Sequence, residues 1–459
     1  MKLNVPCLLF GACVGCGAPG LAAPCPAQPV APSAAQPTSS VVGQLAVPAP
    51  SAAPPATFDV AAIDKYIARQ MSRQGFIGLS VAIVKDGAIV LDKGYGRSQI
   101  EPDAPMRSDT ALSIGSISKQ FISTLILLLA NEKKLSLDDR VAKYYPALTR
   151  ANDITLYDLM THVSGYRDYF PLDFIDQEMK QPAIQDDVIA RYGKRPLDFE
   201  PRTRFSYSST GYKILARVIE KVTGKPLGTV LSERILRPVG MSHSSYMPTA
   251  DAPGVARGYT SFALGPPEPA EFEGKDWGFG AGGIFAPAGD IARWDIALMS
   301  GKVLGPEDYK TLTTARRLAD GRVTTYGCGI GTTVTKSGER LLRHSGQSPG
   351  FVAYSVLLPR TRSAVVALSN RDDAPPWDLV NDLVALISEE HRAVPPKIAG
   401  PSAREVAKHI FAQLQSGHVD RDGLGDDFNT FLADAKLRAA SERLRALGEP
   451  SAVDVEDTQ

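Results

Sequence analysis

Ser113-Ile-Gly-Ser116-Ile-Ser-Lys119-Gln-Phe-Ile-Ser-Thr-Leu-Ile-Leu-Leu-Leu-Ala130 is the stretch on which the reading of this chain turns. It is apolar almost all round, the mark of a helix buried on every side. Ser116 and Lys119 open it as Ser-x-x-Lys, and a spacing of three sets both side chains on one helical face. An unassisted serine hydroxyl is a weak nucleophile, and a neutral amine beside it can take its proton. The positive end of a helix favours a developing alkoxide, and burial lowers a lysine's pKa. Four such residues also arise by chance, as a serine at a helix cap with a lysine one turn on. The surrounding sequence has to decide.

Upstream, Val60, Ile63, Tyr66, Ile67 and Met71 fall at helical spacing and predict an amphipathic helix over Asp59 to Arg73. The run Leu79-Ser-Val-Ala-Ile-Val84 then meets Asp86-Gly87 and returns as Ala-Ile-Val-Leu91, a hairpin signal. Helical patterns dominate from about 116 to 235. Strand patterns return at 339–343, 351–358 and 364–369, followed by a helix from Pro376 to about Glu390. Strands at both ends of a helical middle predict an α/β fold of the α+β type: one antiparallel sheet flanked by helices, with a large inserted helical lobe. A site is expected in the cleft between the two.

The termini read differently. Met1-Lys2 is followed by no charge until Asp59, and residues 3 to 22 are apolar and small, ending Gly20-Leu21-Ala22. That pattern predicts a signal peptide over 1–22 and an exported, periplasmic or extracellular protein. Cys13 or Cys16 offers a lipid tether as the alternative, though neither has a leucine three residues before it. Residues 24 to 57 hold nine prolines and no charge before the helix, which predicts an extended spacer over 23–57. The main folded domain is expected over 58–394. Beyond Pro395-Pro396, helical patterns at Ser402 to Gln415 and Asp434 to Leu447 predict an appended, incomplete module over 395–459.

Equal numbers of basic and acidic residues, 50 of each, exclude a broad basic face for nucleic acid. Four of the five cysteines lie in the first 25 residues, so Cys328 has no partner in the body of the chain. Its strand-like setting, Tyr326-Gly-Cys328-Gly-Ile330, predicts a small buried residue. None of the six histidines shows metal-ligand spacing, so neither a metal nor another cofactor is expected.

Taken with Lys133-Lys134-Leu-Ser-Leu-Asp-Asp139 and Ile154-Thr-Leu-Tyr-Asp-Leu-Met-Thr-His162-Val-Ser-Gly165, the opening stretch resembles the serine β-lactamases and penicillin-binding-protein-like hydrolases, above all the class C β-lactamase, esterase and D-aminopeptidase branch. In that family Ser-x-x-Lys supplies the nucleophile and its base, which implies those roles for Ser116 and Lys119. The family's Tyr-x-Asn corresponds to Tyr207-Ser-Ser209, so the resemblance implies a proton-relaying Tyr207, with serine where an amide would contact substrate. Ser209 also reads as the N-cap of the helix that follows. The third motif, Lys-Thr-Gly or His-x-Gly, corresponds to His344-Ser-Gly346-Gln347. It implies His344 lining the site, Gly346 admitting substrate close to the backbone, and the Gln347 and Ser116 N–H groups forming an oxyanion hole. His162 is read as packing. Gly278-Phe-Gly-Ala-Gly-Gly-Ile284 and Asp290-Ile-Ala-Arg-Trp294 extend the likeness.

Two other motifs are set aside. Gly346-Gln-Ser348-Pro-Gly350 has the spacing of a nucleophile elbow, but a strand rather than a helix is expected after it. Gly278, Gly280 and Gly283 match a dinucleotide fingerprint without the βαβ unit that it needs. The expectation is a serine hydrolase of an ester or amide, small or peptidic, acting through an acyl-enzyme. Ser209 and His344 favour an esterase or D-amino-acid peptidase over a class C-like β-lactamase or DD-carboxypeptidase. The rival from another class is a non-catalytic relative that binds peptidoglycan or a partner protein.

Overall fold

Asp86 and Gly87 both take positive φ, 53° and 83°, the turn geometry whose twist suits a two-residue hairpin. They join β1 (Gly78–Lys85) to β2 (Ala88–Gln99). The computed structural model that shows this describes residues 58–170, 177–249, 251–261, 266–271, 274–335, 338–388, 403–421 and 434–448. The expected signal peptide and spacer, with Cys13 and Cys16, lie outside the described residues.

Short strands follow: β3 (Ala104–Pro105), β4 (Leu112–Ser113), β5 (Ser245–Tyr246), β6 (Tyr259–Thr260), β7 (Glu268–Pro269) and β8 (Ile284–Ala286). Then come β9 (Gly331–Val334), β10 (Arg340–Ser348), β11 (Phe351–Leu358) and β12 (Ser363–Ser369). The main sheet runs β3-β2-β1-β12-β11-β10-β9. Its centre joins the two ends of the domain, with Leu79 opposite Ser369 and Val84 opposite Ala364, antiparallel as the sequence predicts.

The helices are α1 (Val60–Gln74), α2 (Ser118–Asn131), α3 (Leu156–Met160), α4 (Gln185–Gly193), α5 (Ser209–Thr223), α6 (Leu227–Leu231), α7 (Arg237–Val239), α8 (Ala288–Met299), α9 (Pro306–Thr313) and α10 (Trp377–Ile387). Asp59 caps α1 by accepting the Ala61 N–H at 2.8 Å, and Gly75 ends it in the left-handed region. One sheet face packs Leu79, Val81, Ile83 and Val365 against Ile63 and Ile67 of α1 and Leu379 and Leu383 of α10. The other packs Ala82, Val84, Val366 and Leu368 into a core shared with Ile291 and Trp294 of α8 and Phe121 and Leu125 of α2. With both faces covered, β1, β11 and β12 are apolar without alternation. Phe121 stacks on Trp294 at 4.3 Å, and Gln120 Oε1 accepts the Trp294 indole N–H at 3.0 Å. Thus α2 ties the sheet's helical layer to the lobe, where it packs on α5.

Two local expectations change. The stretch around Cys328 is a series of bends, not a strand, because two glycines and a bridge from Tyr326 to Gly331 turn the chain there. The cysteine itself is buried. The residues after Ser348 turn through Pro349-Gly350 into β11, which is a hairpin and not a nucleophile elbow.

The chain divides into two compact units, with the boundary at Ala393 and Val394. In the C-terminal unit, α11 (Ala403–Ser416) and α12 (Asp434–Leu447) pair through Val419, Leu437 and Leu414. Both helices lie within one residue of their predicted bounds.

Candidate active site

From Thr110 to Leu127 every residue is buried except Ser116, which is partly exposed. The apolar run that predicts a buried helix therefore also leaves one hydroxyl open. Ser116 sits in a 3-10 turn (Gly115–Ile117) that leads into α2, not in α2 itself. In 3-10 geometry side chains three apart eclipse, and Lys119 Nζ lies 3.0 Å from Ser116 Oγ. Lys119 is fully buried, and its ammonium also donates to the Ala281 carbonyl at 2.9 Å. That carbonyl belongs to the glycine-rich turn, where Gly280 and Gly283 take positive φ of 72° and 85°. The turn thus serves the lysine and holds no nucleotide fingerprint geometry.

Burial pulls the Lys119 pKa down to about 7, against a smaller upward pull from the Asp168 carboxylate. Near neutrality a large share of the amine is then unprotonated and able to accept the Ser116 proton.

Tyr207 lies just before α5. Its ring sits 4.8 Å from Lys119 Nζ and lies tilted against His162 at 4.2 Å. The Tyr207 hydroxyl is buried with no hydrogen-bond partner of normal geometry. Burial holds its pKa above the usual phenol range, against a smaller downward pull from the nearby Ser116 hydroxyl. His162 is packing, as expected, and it also orders the chain beside it. Its Nδ1 accepts the Ser208 N–H at 3.1 Å and so fixes the backbone next to Tyr207.

Three expectations need correction. Ser209 is the first residue of α5 and Ser208 its N-cap, so the predicted cap is shifted by one. The Ser209 N–H is taken by Asp168 Oδ1 at 3.0 Å, and the residue is only 6% exposed. His344 lies among the rings of the site, 6.3 Å from that of Tyr207, with its polar atoms turned to the protein. Along β10 the odd positions 343, 345 and 347 face out, while 342, 344 and 346 face in. Its Nδ1 lies 2.5 Å from the Ser345 carbonyl, which only accepts, so Nδ1 carries the proton. Nε2 therefore accepts the Tyr326 hydroxyl at 2.6 Å. Burial, with the Lys119 charge, lowers the His344 pKa to about 4, so the ring is neutral near pH 7. Gly346 makes room for the protein, not for substrate: a Cβ there would lie 1.9 Å from the Ile114 carbonyl oxygen. The same contact brings Gln347 to the nucleophile, since a Cβ on Gly115 would lie 2.6 Å from the Gln347 amide nitrogen.

Asp168 and Tyr326 were not singled out from the sequence. Asp168 lies six residues after His162, just beyond the stretch that carries the family likeness; Tyr326 lies beside Cys328. Neither sits in a motif that announces chemistry. Among the described residues no three His, Cys, Asp or Glu side chains gather as metal ligands.

The beta-lactamase family profile matches residues 63–389, most of the chain. This chain belongs to the beta-lactamase family. A D-aminopeptidase of Brucella anthropi is 29% identical over 317 residues, which cover 68% of this chain and 60% of that enzyme's own length. The octameric penicillin-binding protein homologue of Pyrococcus abyssi superposes with a TM-score of 0.64 at 26% identity, over 78% of this chain and 82% of its own. A D-amino acid amidase of Ochrobactrum anthropi, solved with L-phenylalanine amide, shares the fold with a TM-score of 0.60 at 24% identity, covering 72% of this chain and 98% of the amidase.

Proposed function

We propose that this protein is a serine hydrolase that cleaves amides or esters of D-amino acids through an acyl-enzyme on Ser116. The observation that carries this is Ser116 Oγ, the open hydroxyl of the buried 110–127 run, 3.0 Å from a buried amine whose pKa is pulled to about 7. Ser116 attacks the substrate carbonyl as Lys119 takes its proton. Collapse of the tetrahedral intermediate breaks the bond to the leaving group, which takes its proton from Tyr207. Tyr207 is reprotonated from Lys119, and water then releases the acyl group by the same route in reverse. The Ser116 and Gln347 amides, brought together by the contact at Gly115, support an oxyanion between them. The names of the relatives point to D-amino acid amides. A neutral, internally bonded His344 leaves the third motif without a cation for a substrate carboxylate, which favours this reading over a DD-carboxypeptidase. The apolar run that follows Lys2 supports an exported enzyme.

The test uses a fluorophosphonate probe, D-phenylalanine amide, p-nitrophenyl acetate and nitrocefin. Ser116 should take the probe, and amide and ester should turn over. Ser116→Ala should lose the adduct and at least about a thousandfold in kcat. No adduct on Ser116, or efficient turnover of nitrocefin alone, overturns the reading.

A further inference from the structure

Tyr326 is a buried tyrosine to which the reaction above gives no role. Its hydroxyl donates to His344 Nε2 at 2.6 Å, and its ring meets three rings of the site. It stands edge-on to Tyr207 at 6.2 Å and 88°, tilted against His162 at 4.9 Å, and edge-on to His344 at 5.6 Å. Tyr207 is thus held between His162 on one face and Tyr326 at its edge.

The direction of each proton follows from the bonds. Because the Ser345 carbonyl fixes the His344 proton on Nδ1, Nε2 can only accept, and Tyr326 must spend its single proton there. Tyr326 therefore has only lone pairs left for Tyr207. A relay group needs this kind of neighbour: one that holds the ring in place and offers no proton that would compete for the phenol oxygen.

We propose that Tyr326 is a positioning residue for Tyr207, anchored by its hydrogen bond to His344. This rests on Tyr207 being the group that protonates the leaving group. It also gives the third-motif histidine a use that its burial permits, since a ring with both nitrogens engaged has no donor or acceptor left for substrate.

Substrates with different leaving groups supply the test. An amide must be protonated to leave, whereas p-nitrophenolate leaves as the anion. Tyr326→Phe keeps the ring and removes the hydroxyl. Its kcat/KM on D-phenylalanine amide should fall about tenfold or more, and on p-nitrophenyl acetate less than about threefold. Tyr207→Phe should show the same split with a larger loss on the amide, about a hundredfold. The double variant should be no slower than Tyr207→Phe alone, because both act on one proton transfer. His344→Leu removes the acceptor at the other end of the same bond and should reproduce the split if Tyr326→Phe fails to fold. Equal losses on both substrates, or additive losses in the double variant, overturn the proposal. Labelling of wild-type Ser116 is read first. If the adduct is absent, the reading of the site falls and this proposal with it; if it is present and the split is missing, Tyr326 alone is misassigned.

Discussion

At Lys119 two consequences of burial act together. Desolvation disfavours the ammonium and brings the amine to about pKa 7, while the surrounding rings and the Ala281 carbonyl hold it 3.0 Å from Ser116 Oγ. The sign of the pH dependence follows: the unprotonated amine is the base, so activity is present above its pKa and lost below it. With a neutral substrate, kcat/KM should rise through about pH 7 and level off above. Lys119→Arg, charged at every working pH, should lose turnover throughout and with it this limb. A limb near pH 4 would instead make His344 the base.

Among the elements, β10 and the 3-10 turn at Ser116 depend most closely on one another. Their contact leaves no room for a side chain at Gly346, whose Cβ would meet the Ile114 oxygen at 1.9 Å. Gly346→Ala should therefore push β10 away from the turn. It should cost about 1–3 kcal/mol of stability and slow fluorophosphonate labelling of Ser116 about tenfold, because the Gln347 amide moves with the strand. Gly305→Ala, with open space around its Cβ, should cost under about 1 kcal/mol and leave labelling unchanged. An unstrained, normally labelled Gly346→Ala protein would return this glycine to the role the motif implied, access for substrate. The existence of β10 and its neighbours is legible from apolar runs and the Asp86-Gly87 turn. Which face of β10 His344 occupies is not, because motif likeness aligns residue types, while the strand's alternation decides which way each side chain points.

Across the whole molecule, the sheet and the layer of α8 meet at a buried acid. Asp295 on α8 accepts the Ser355 hydroxyl of β11 at 3.0 Å through one oxygen, and the other has no partner. Burial raises its pKa to about 7. A carboxyl raised on folding adds stability in full below its unfolded pKa near 4, and that stability is lost as pH climbs through about 7. Asp295→Asn should remove this loss. The melting temperature of the variant should gain on the wild type between about pH 4 and 7, with a ceiling of about 4 kcal/mol from the shift itself. Parallel pH profiles for the two proteins would show that Asp295 ionises freely in the fold.

The sequence by itself determined the hairpin, the late strands, the buried α2 and the Ser116–Lys119 pair, because each rests on local periodicity, turn chemistry or a short spacing. It also carries enough motif likeness to point to the family. Only the tertiary structure decided that Ser116 is the one open residue in its run, that Asp168 takes the Ser209 amide, and that Tyr326 engages His344. Asp168 and Ser209 stand 41 residues apart, and Tyr326 meets a tyrosine and a histidine from two other elements. Such contacts follow from which elements the shared core brings together, and no window of sequence encodes that neighbourhood.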